Sequence, residues 1–288
     1  MENFKIITDS SCDLTPALLE ELDLHVVPLS VLINDKVYVN YPDERDIKFA
    51  DYYDMLRQEL MGKTSAANVY DFTNAMEPYL KEGKDVLYLG FSSALSGTYN
   101  AGAIAAEELK EKYPDRKILT VDTLCASMGQ GLMVYLAVKK KAEGASIEEV
   151  AAYVEKTKYN LCHWFTVDDL NHLKRGGRVS AVAATFGTIL NIKPVMHVDN
   201  EGRLTPVEKV RGRKASINGL LKEMKKSIID KSIAFISHGD CLEEAEGLAA
   251  KIREELGIED IRINYVGPVI GTHSGPGTMA LFFLGTER

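Results

Sequence analysis

Short runs of β-branched and other apolar residues alternate with longer stretches of helical periodicity through the first half of the chain. This alternation is the signature of βαβ units and a parallel sheet. Phe4–Thr8, Asp85–Gly90 and Lys117–Val121 are the strand candidates, each mostly apolar as strands covered on both faces must be. Between them, Thr15–Leu22 places Pro16 just inside a helix, and Thr98–Lys112 and Ala126–Lys141 are amphipathic. At Val31–Asn40 the pattern changes: Val-Leu-Ile and Lys-Val-Tyr-Val flank Asn34-Asp35, which predicts a β-hairpin inserted at about residues 28–42 after a short strand at His25–Leu29. Tyr41-Pro42-Asp43 ends it, before a helix from about Ile47 to Leu60.

Near residue 160 the texture shifts. Leu161–Val167 is a further strand, and Lys174-Arg175-Gly176-Gly177-Arg178 reads as a basic, glycine-broken turn. Ala181–Leu190 is apolar almost all round, hence buried; its small residues leave room either for a slender apolar ligand or for close packing. Lys193–Val198 and Arg203–Val210 form a hairpin across Asn200-Glu201-Gly202. Helices at Lys214–Lys226 and Leu242–Leu256 and strands at Ser232–Ser237, Asp260–Val266 and Thr278–Leu284 complete the pattern. The expected fold class is α/β, with two α/β domains: residues 1–165, carrying a mostly parallel sheet and the hairpin insertion, and residues 166–288.

Composition narrows the function classes. A chain of 288 residues, 45% hydrophobic and 26% charged, can bury a sizeable core. Its net charge of −8 counts against nucleic acid as the main partner, because phosphate neutralisation needs a basic surface. No apolar run approaches the ~20 residues of a membrane helix, and no signal peptide is expected at Met1-Glu2-Asn3-Phe4. Four scattered cysteines without a CxxC pair fit a reducing, cytoplasmic location and no structural zinc.

Candidate chemistry lies in the loops that leave the first-half strands. Asp9-Ser10-Ser11-Cys12-Asp13, Phe91-Ser92-Ser93-Ala94-Leu95-Ser96-Gly97-Thr98 and Asp122-Thr123-Leu124-Cys125-Ala126-Ser127 each come directly after one. In an open parallel sheet these loops share one edge, where ligands bind. Hydroxyls beside helix N-termini suit a carboxylate or phosphate. The competing reading is helix capping, preferred for Asp13 and Thr15; one helix needs one cap, however, and Ser92, Ser93 and Ser96 are three hydroxyls. Lys63-Thr64-Ser65 reads as a turn and cap before a helix near Tyr70.

The stretch from Gly267 to Thr278 is a tight Gly/Pro loop carrying His273, which can donate to an anion or carry a proton. His238 comes after a strand and reads as structural. Lys209, Arg211, Arg213 and Lys214 form a dense basic segment, a solvated face by default, in which strand alternation would put Lys209, Arg211 and Arg213 on one side. There is no GxGxxG after a strand, no P-loop lysine and no HExxH. Gly90-Phe91-Ser92-Ser93-Ala94 approaches a nucleophile elbow, with Asp240 and His273 in the order a serine hydrolase needs. A regulatory interaction module, docking through Arg175, Arg178 and the Lys209–Lys214 stretch, is a third class.

Taken together, the motifs resemble the DegV family of bacterial fatty-acid-binding proteins, the fatty acid kinase B subunits. The resemblance rests on Thr8-Asp9-Ser10-Ser11, Thr64-Ser65, Ser92 to Tyr99, Val121-Asp122-Thr123, Val167 to Leu170 and Arg175 to Ser180. Gly187 to Leu190, Ile192-Lys193-Pro194, Lys209-Val210-Arg211, Gly267-Pro268-Val269 and Thr272 to Gly277 extend it over essentially the whole chain. It implies a long-chain fatty acid, for example palmitate, in a cleft between the domains. It further implies a carboxylate bound by Thr64 and Ser93 with Arg211 and His273 nearby, Ser65, Ser92 and Ser96 belonging to the same hydroxyl loops. No cofactor and no catalysis by this chain alone are implied; a separate ATP-dependent kinase subunit phosphorylates the bound acid. Where the family commonly has Thr-Ser-Gln-Pro, this chain has Thr64-Ser65-Ala66-Ala67, a loop without the proline constraint.

Overall fold

The computed structural model describes residues 3–179 and 191–288; the apolar segment expected at 181–190 lies outside them. Strand β1 (Phe4–Asp9), buried throughout, runs into a 3₁₀ turn at Ser10–Cys12 and helix α1 (Pro16–Glu21), capped by Thr15 Oγ1 accepting from the Leu18 N–H at 3.3 Å. After β2 (His25–Val27), the hairpin β3 (Ser30–Ile33) and β4 (Lys36–Val39) turns through Asn34 and Asp35. Both have positive φ, 50° and 58°, as a two-residue hairpin loop requires. The chain continues through α2 (Phe49–Arg57), β5 (Lys63–Ser65), α3 (Val69–Lys81), β6 (Asp85–Gly90), α4 (Thr98–Lys112), β7 (Ile118–Asp122), α5 (Met128–Ala142) and α6 (Ile147–Thr157). Helix α6 is not among the elements expected from the apolar pattern, although Ser146 and Glu149 form the capping box that starts it. Next come β8 (Leu161–Thr166), α7 (Leu170–Arg175), β9 (Ile192–Val198), β10 (Leu204–Arg211), α8 (Arg213–Ser227), β11 (Ala234–His238), α9 (Leu242–Leu256), β12 (Ile261–Tyr265), α10 (Pro268–Ser274) and β13 (Met279–Leu284).

The strands form three sheets. The first, in the order β2-β1-β6-β7, is wholly parallel, so the loops after β1, β6 and β7 share one edge as expected. The hairpin pairs with β5 in a small antiparallel sheet, Val31 lying opposite both Tyr38 and Thr64. The third, in the order β10-β9-β8-β13-β11-β12, is antiparallel except for the β11–β12 pair. Strand β8, placed in the first half by a division near residue 165, sits between β9 and β13 of this third sheet. A strand covered on both faces reads the same in either sheet, so its apolar run carries no sign of which one it joins.

One core binds the two halves. Helix α5 packs against β8, β11 and β13, and its Met128, Leu132 and Met133 join Ile6, Leu87 and Leu89 of the parallel sheet to Phe165, Phe235 and Phe282 of the antiparallel one. A second core, with Tyr52, Tyr53, Phe72 and Tyr88, fills the space between the parallel sheet, α2, α3 and the hairpin. The result is a two-domain α/β protein. Among the described residues, no helix is long and apolar enough to cross a membrane.

Candidate functional site

Between the two large sheets lies a cavity of about 250 Å³. Leu29, Phe91 and Leu95 from the first half, and Phe165, Leu173, Val198, Leu204, Val266, Val269, Ile270 and Phe282 from the second, make most of its wall apolar. Thr64, Ser96, Arg178 and His273 add polar groups to that wall. Beside it opens a cleft of about 730 Å³ whose lining includes Lys63, His172 and Arg175 with Glu59 and Asp169. Thr64, Arg178 and His273 line both spaces, whereas Ser96 lines only the inner one. An apolar cavity therefore meets, at these three side chains, a more polar cleft in which Lys63, Arg175 and Arg178 outnumber the carboxylates of Glu59 and Asp169.

Each is positioned by its element. Strand β5 alternates, leaving Lys63 and Ser65 exposed and turning Thr64 toward the cavity, where Thr64 Oγ1 and His273 Nε2 lie 2.9 Å apart. The Gly/Pro stretch carrying His273 is not a loop; Pro268 starts the short helix α10. That helix is anchored on α2 by a 2.5 Å hydrogen bond between Tyr52 OH and Thr272 Oγ1, and Tyr53 OH donates to the Val266 carbonyl just before it at 2.7 Å. A Cβ on Gly271 would stand 2.6 Å from Tyr53 OH, and one on Gly176 would stand 2.3 Å from His273 Nδ1. The glycines thus allow α2 and the end of α7 to close on α10.

Arg178 reaches the boundary by donating from Nε to the Leu95 carbonyl at 3.2 Å and from Nη1 to the Gly176 carbonyl. Ser96 Oγ accepts from the Thr98 N–H at 3.2 Å and lies 2.9 Å from Thr98 Oγ1, which holds it at the cavity wall just before α4. Burial first, and then the Arg178 charge, push the His273 pKa down to about 4. The imidazole is therefore neutral at pH 7, with one nitrogen donating and the other accepting.

A buried polar network holds the loops beneath this set. Asp9 Oδ2 accepts from the Phe91 N–H (3.1 Å), Tyr88 OH (3.0 Å) and Gln130 Nε2 (3.1 Å), and Oδ1 accepts from the Ser11 N–H (3.1 Å). This single carboxyl group ties together the ends of β1 and β6 and the start of α5. Asp13, expected as a cap, is instead a buried carboxyl accepting from Ser127 Oγ at 2.5 Å, and burial pushes its pKa up to about 8. Ser127 Oγ is also hydrogen-bonded to Ser237 Oγ at 2.9 Å, and both serines reach the cavity wall. His238 is structural, its Nδ1 accepting from the Cys241 N–H.

Of the residues expected at the site, Thr64, Ser96 and His273 are brought together around the cavity, and Ser65, Ser92, Ser93 and Arg211 are not among its described lining residues. The loop after β6 explains the serines. Ser92 points into the protein and donates to the Gly202 carbonyl at 2.9 Å. Ser93 sits exposed on the outer turn with its N–H facing the Asp122 carboxylate, and Ser96 is where the loop returns. Arg211 is exposed at the end of β10, and Arg213 does not continue the strand but opens α8, paired with Glu244 at 2.7 Å. The arginine at the cavity is Arg178, whose signal was the basic glycine turn.

The hydrolase alternative is overturned. Ser92 is committed to Gly202, Asp240 pairs with Arg57 at 2.5 Å, and His273 faces Thr64, so no triad is assembled. Nor is the docking-module set free as a whole, since Arg178 is half-buried in the cavity wall and Arg213 is engaged with Glu244.

The depressed pKa of His273 has a consequence for stability. The unfolded chain takes up a proton near pH 6.5 that the folded site resists until about pH 4. This group's contribution is therefore complete above pH 6.5 and is lost as pH falls toward 4, by about 3 kcal/mol in all. Urea unfolding between pH 7 and pH 4 should show a shallower loss of stability in His273→Asn than in the wild type. Parallel curves would place the titration elsewhere.

Fold and site together define a two-domain α/β protein with a mainly apolar cavity between its domains. The chain belongs to the DegV family: the family model, described as "Uncharacterised protein, DegV family", matches residues 3–286. A DegV domain-containing protein of Clostridium perfringens is 47% identical over 290 residues, covering 100% of this chain and 99% of its own. A DegV family protein from Thermus thermophilus, reported for its fatty acid binding, superposes with a TM-score of 0.87 at 31% identity, over 98% of this chain and 99% of that one. A Thermotoga maritima protein whose structure was reported to reveal fatty acid binding function gives a TM-score of 0.83 at 31% identity, again over 98% and 99%.

Proposed function

We propose that the protein is a cytoplasmic carrier that binds a long-chain fatty acid such as palmitate. Its acyl chain lies in the apolar cavity and its carboxylate meets Thr64, Ser96 and His273. The observation that carries this reading is the placement of Thr64 and His273, 2.9 Å apart, where the apolar cavity opens into the basic cleft. The fatty-acid-binding relatives at 31% identity support it. Burying about 15 methylenes at about 0.8 kcal/mol each offers a gross ~12 kcal/mol before ordering and association costs. A cradle of hydroxyls and a neutral imidazole can therefore hold the headgroup modestly, because the chain supplies most of the affinity.

The carrier does no chemistry alone. A separate ATP-dependent kinase subunit transfers the γ-phosphoryl group of ATP to the carboxylate, forming an acyl phosphate and ADP. Hydroxyl ligands suit a headgroup that must stay available to that partner, whereas an arginine clamped on both oxygens would obstruct the transfer. Lys63, Arg175 and Arg178, lining the outer cleft, offset the added charge of the acyl phosphate.

Mass spectrometry of the purified protein, native and then after organic extraction, tests the carrier reading. One long-chain fatty acid released per chain on denaturation is the expected result. An empty protein that takes up no added palmitate would overturn it.

A further inference from the structure

Arg288 is a buried cation that the fatty-acid site does not use. Only 9% of it is exposed, and among the described residues it pairs with no carboxylate. Its Nη1 donates to the Lys158 carbonyl at 3.3 Å, its Nη2 donates to the Leu124 carbonyl and stands 3.5 Å from His163 Nδ1, and its Nε has no partner. Burying a charge on carbonyls alone, with one N–H unmet, costs folding free energy, so stability alone does not account for the group. It does bridge the two large sheets. The segment after β13 is fixed on the antiparallel side, the Gly285 N–H donating to the Asn160 carbonyl and the Thr286 N–H to the Ser227 carbonyl, both at 2.8 Å. Leu124 belongs instead to the loop that leaves β7 of the parallel sheet.

That loop is strained and forms part of the cavity wall. Leu124 and Ser127 hold positive φ angles of 55° and 53°, which non-glycine residues keep only where their surroundings impose them. Two of its backbone groups are met from the parallel sheet's own side: the Cys125 carbonyl accepts from the Ser92 N–H at 2.9 Å, and the Thr123 N–H donates to the Gly90 carbonyl at 3.2 Å. Two others are met from the antiparallel side. The Leu124 carbonyl accepts from Arg288, and the Ala126 N–H donates to His163 Nε2 at 3.2 Å. The same imidazole donates from Nδ1 to the Leu161 carbonyl at 3.0 Å, so it holds Ala126 only while neutral. Burial, and after it the Arg288 charge, keep its pKa well below the ordinary histidine range. Ala126, Ser127 and His163 line the inner cavity and not the outer cleft, whereas Arg288 lines neither. We infer that Arg288 is a positioning residue for the cavity: from the antiparallel side it fixes the loop after β7 in the wall and so slows the escape of a bound acyl chain. The inference rests on the carrier reading for its ligand and adds to it what retains that ligand.

The test separates a local clasp from general stability. Arg288→Met fills much of the same space without the charge. In the delipidated variant, hydrogen exchange of the amides from Asp122 to Met128 should quicken about tenfold, the equivalent of one hydrogen bond to a charged group, while strand β6 exchanges as in the wild type. Palmitate should leave the variant about tenfold faster than the wild type in a stopped-flow displacement measurement. Arg288→Lys, which keeps a cation able to reach the Leu124 carbonyl, should recover most of both losses. Exchange quickened equally in β6 and in the loop would make Arg288 a general stabiliser and overturn the assignment, as would a loop unchanged in Arg288→Met. A quickened loop with an unaltered release rate would overturn the role in retention while the carrier reading stands. A wild type that takes up no palmitate would overturn the carrier reading and the retention role with it.

Discussion

Replacing Thr64 and Ser96 together by alanine is expected to weaken palmitate binding about a hundredfold. A hydrogen bond to a charged group contributes about 1.5 kcal/mol or more, close to tenfold in affinity, and the double variant removes two. Binding should not vanish, because the apolar wall from Leu29 to Phe282 is untouched and continues to bury the chain. The two changes differ in their structural cost. Thr64, the middle residue of a three-residue strand, gives up its contact with His273 Nε2, and Ser96 gives up its hydrogen bonds to Thr98, at about 1 kcal/mol. The melting temperature of the delipidated double variant should therefore fall by only about 2–4 °C. Because both residues meet one headgroup, their effects can couple, and the single variants belong in the same titration series. An affinity unchanged in the double variant would remove both hydroxyls from the headgroup site. Ser93→Ala, on the outward face of the same loop, should leave affinity unaltered.

Asp9→Ala should be the most destabilising single change at this edge of the parallel sheet, lowering the unfolding free energy by about 3–5 kcal/mol. Its carboxyl group accepts four hydrogen bonds, from Ser11, Phe91, Tyr88 and Gln130, in a fully buried position. Alanine leaves the Ser11 and Phe91 N–H groups and the Tyr88 hydroxyl without their acceptor, while Gln130 Nε2 keeps Thr8 Oγ1 at 2.9 Å. Because Ser11 and Phe91 line the cavity, palmitate binding should weaken with stability. Asp9→Asn separates shape from acceptor count. Its one oxygen can still take the three donors that meet Oδ2, while its amide faces the Ser11 N–H, so the loss should be about 1–3 kcal/mol. Urea denaturation of the three proteins gives the ranking directly. An Asp9→Ala variant within about 1 kcal/mol of wild type would show that the network is not what fixes these loops.

The hairpin was legible because Asn34-Asp35 is one of the few dipeptides that tolerate two consecutive positive φ angles, and the structure has them at 50° and 58°. The parallel sheet was legible because strands covered on both faces must be apolar and their crossovers helical. From those two facts alone, the loops after β1, β6 and β7 had to share an edge. Hydroxyl-rich loops at that edge then pointed to an anion. Other features were not local. The short helix α10 was hidden by its glycines, which read as a loop until Tyr53 is seen to require the missing Cβ of Gly271. The assignment of β8 to the antiparallel sheet depends on hydrogen-bond partners more than a hundred residues away in β13.

What the sequence determined by itself was the alternation of elements, the hairpin, the class of ligand chemistry at the sheet edge and the family likeness. These depend on periodicity, turn chemistry and residue type, all of which are properties of neighbouring positions. Which hydroxyl of Ser92, Ser93 and Ser96 turns inward, and that Arg178 rather than Arg211 stands beside His273, were decided only by the tertiary structure. A side chain's direction in an irregular loop is set by what the rest of the protein leaves it to bond. For Ser92 that partner is the carbonyl of Gly202, 110 residues away in the chain.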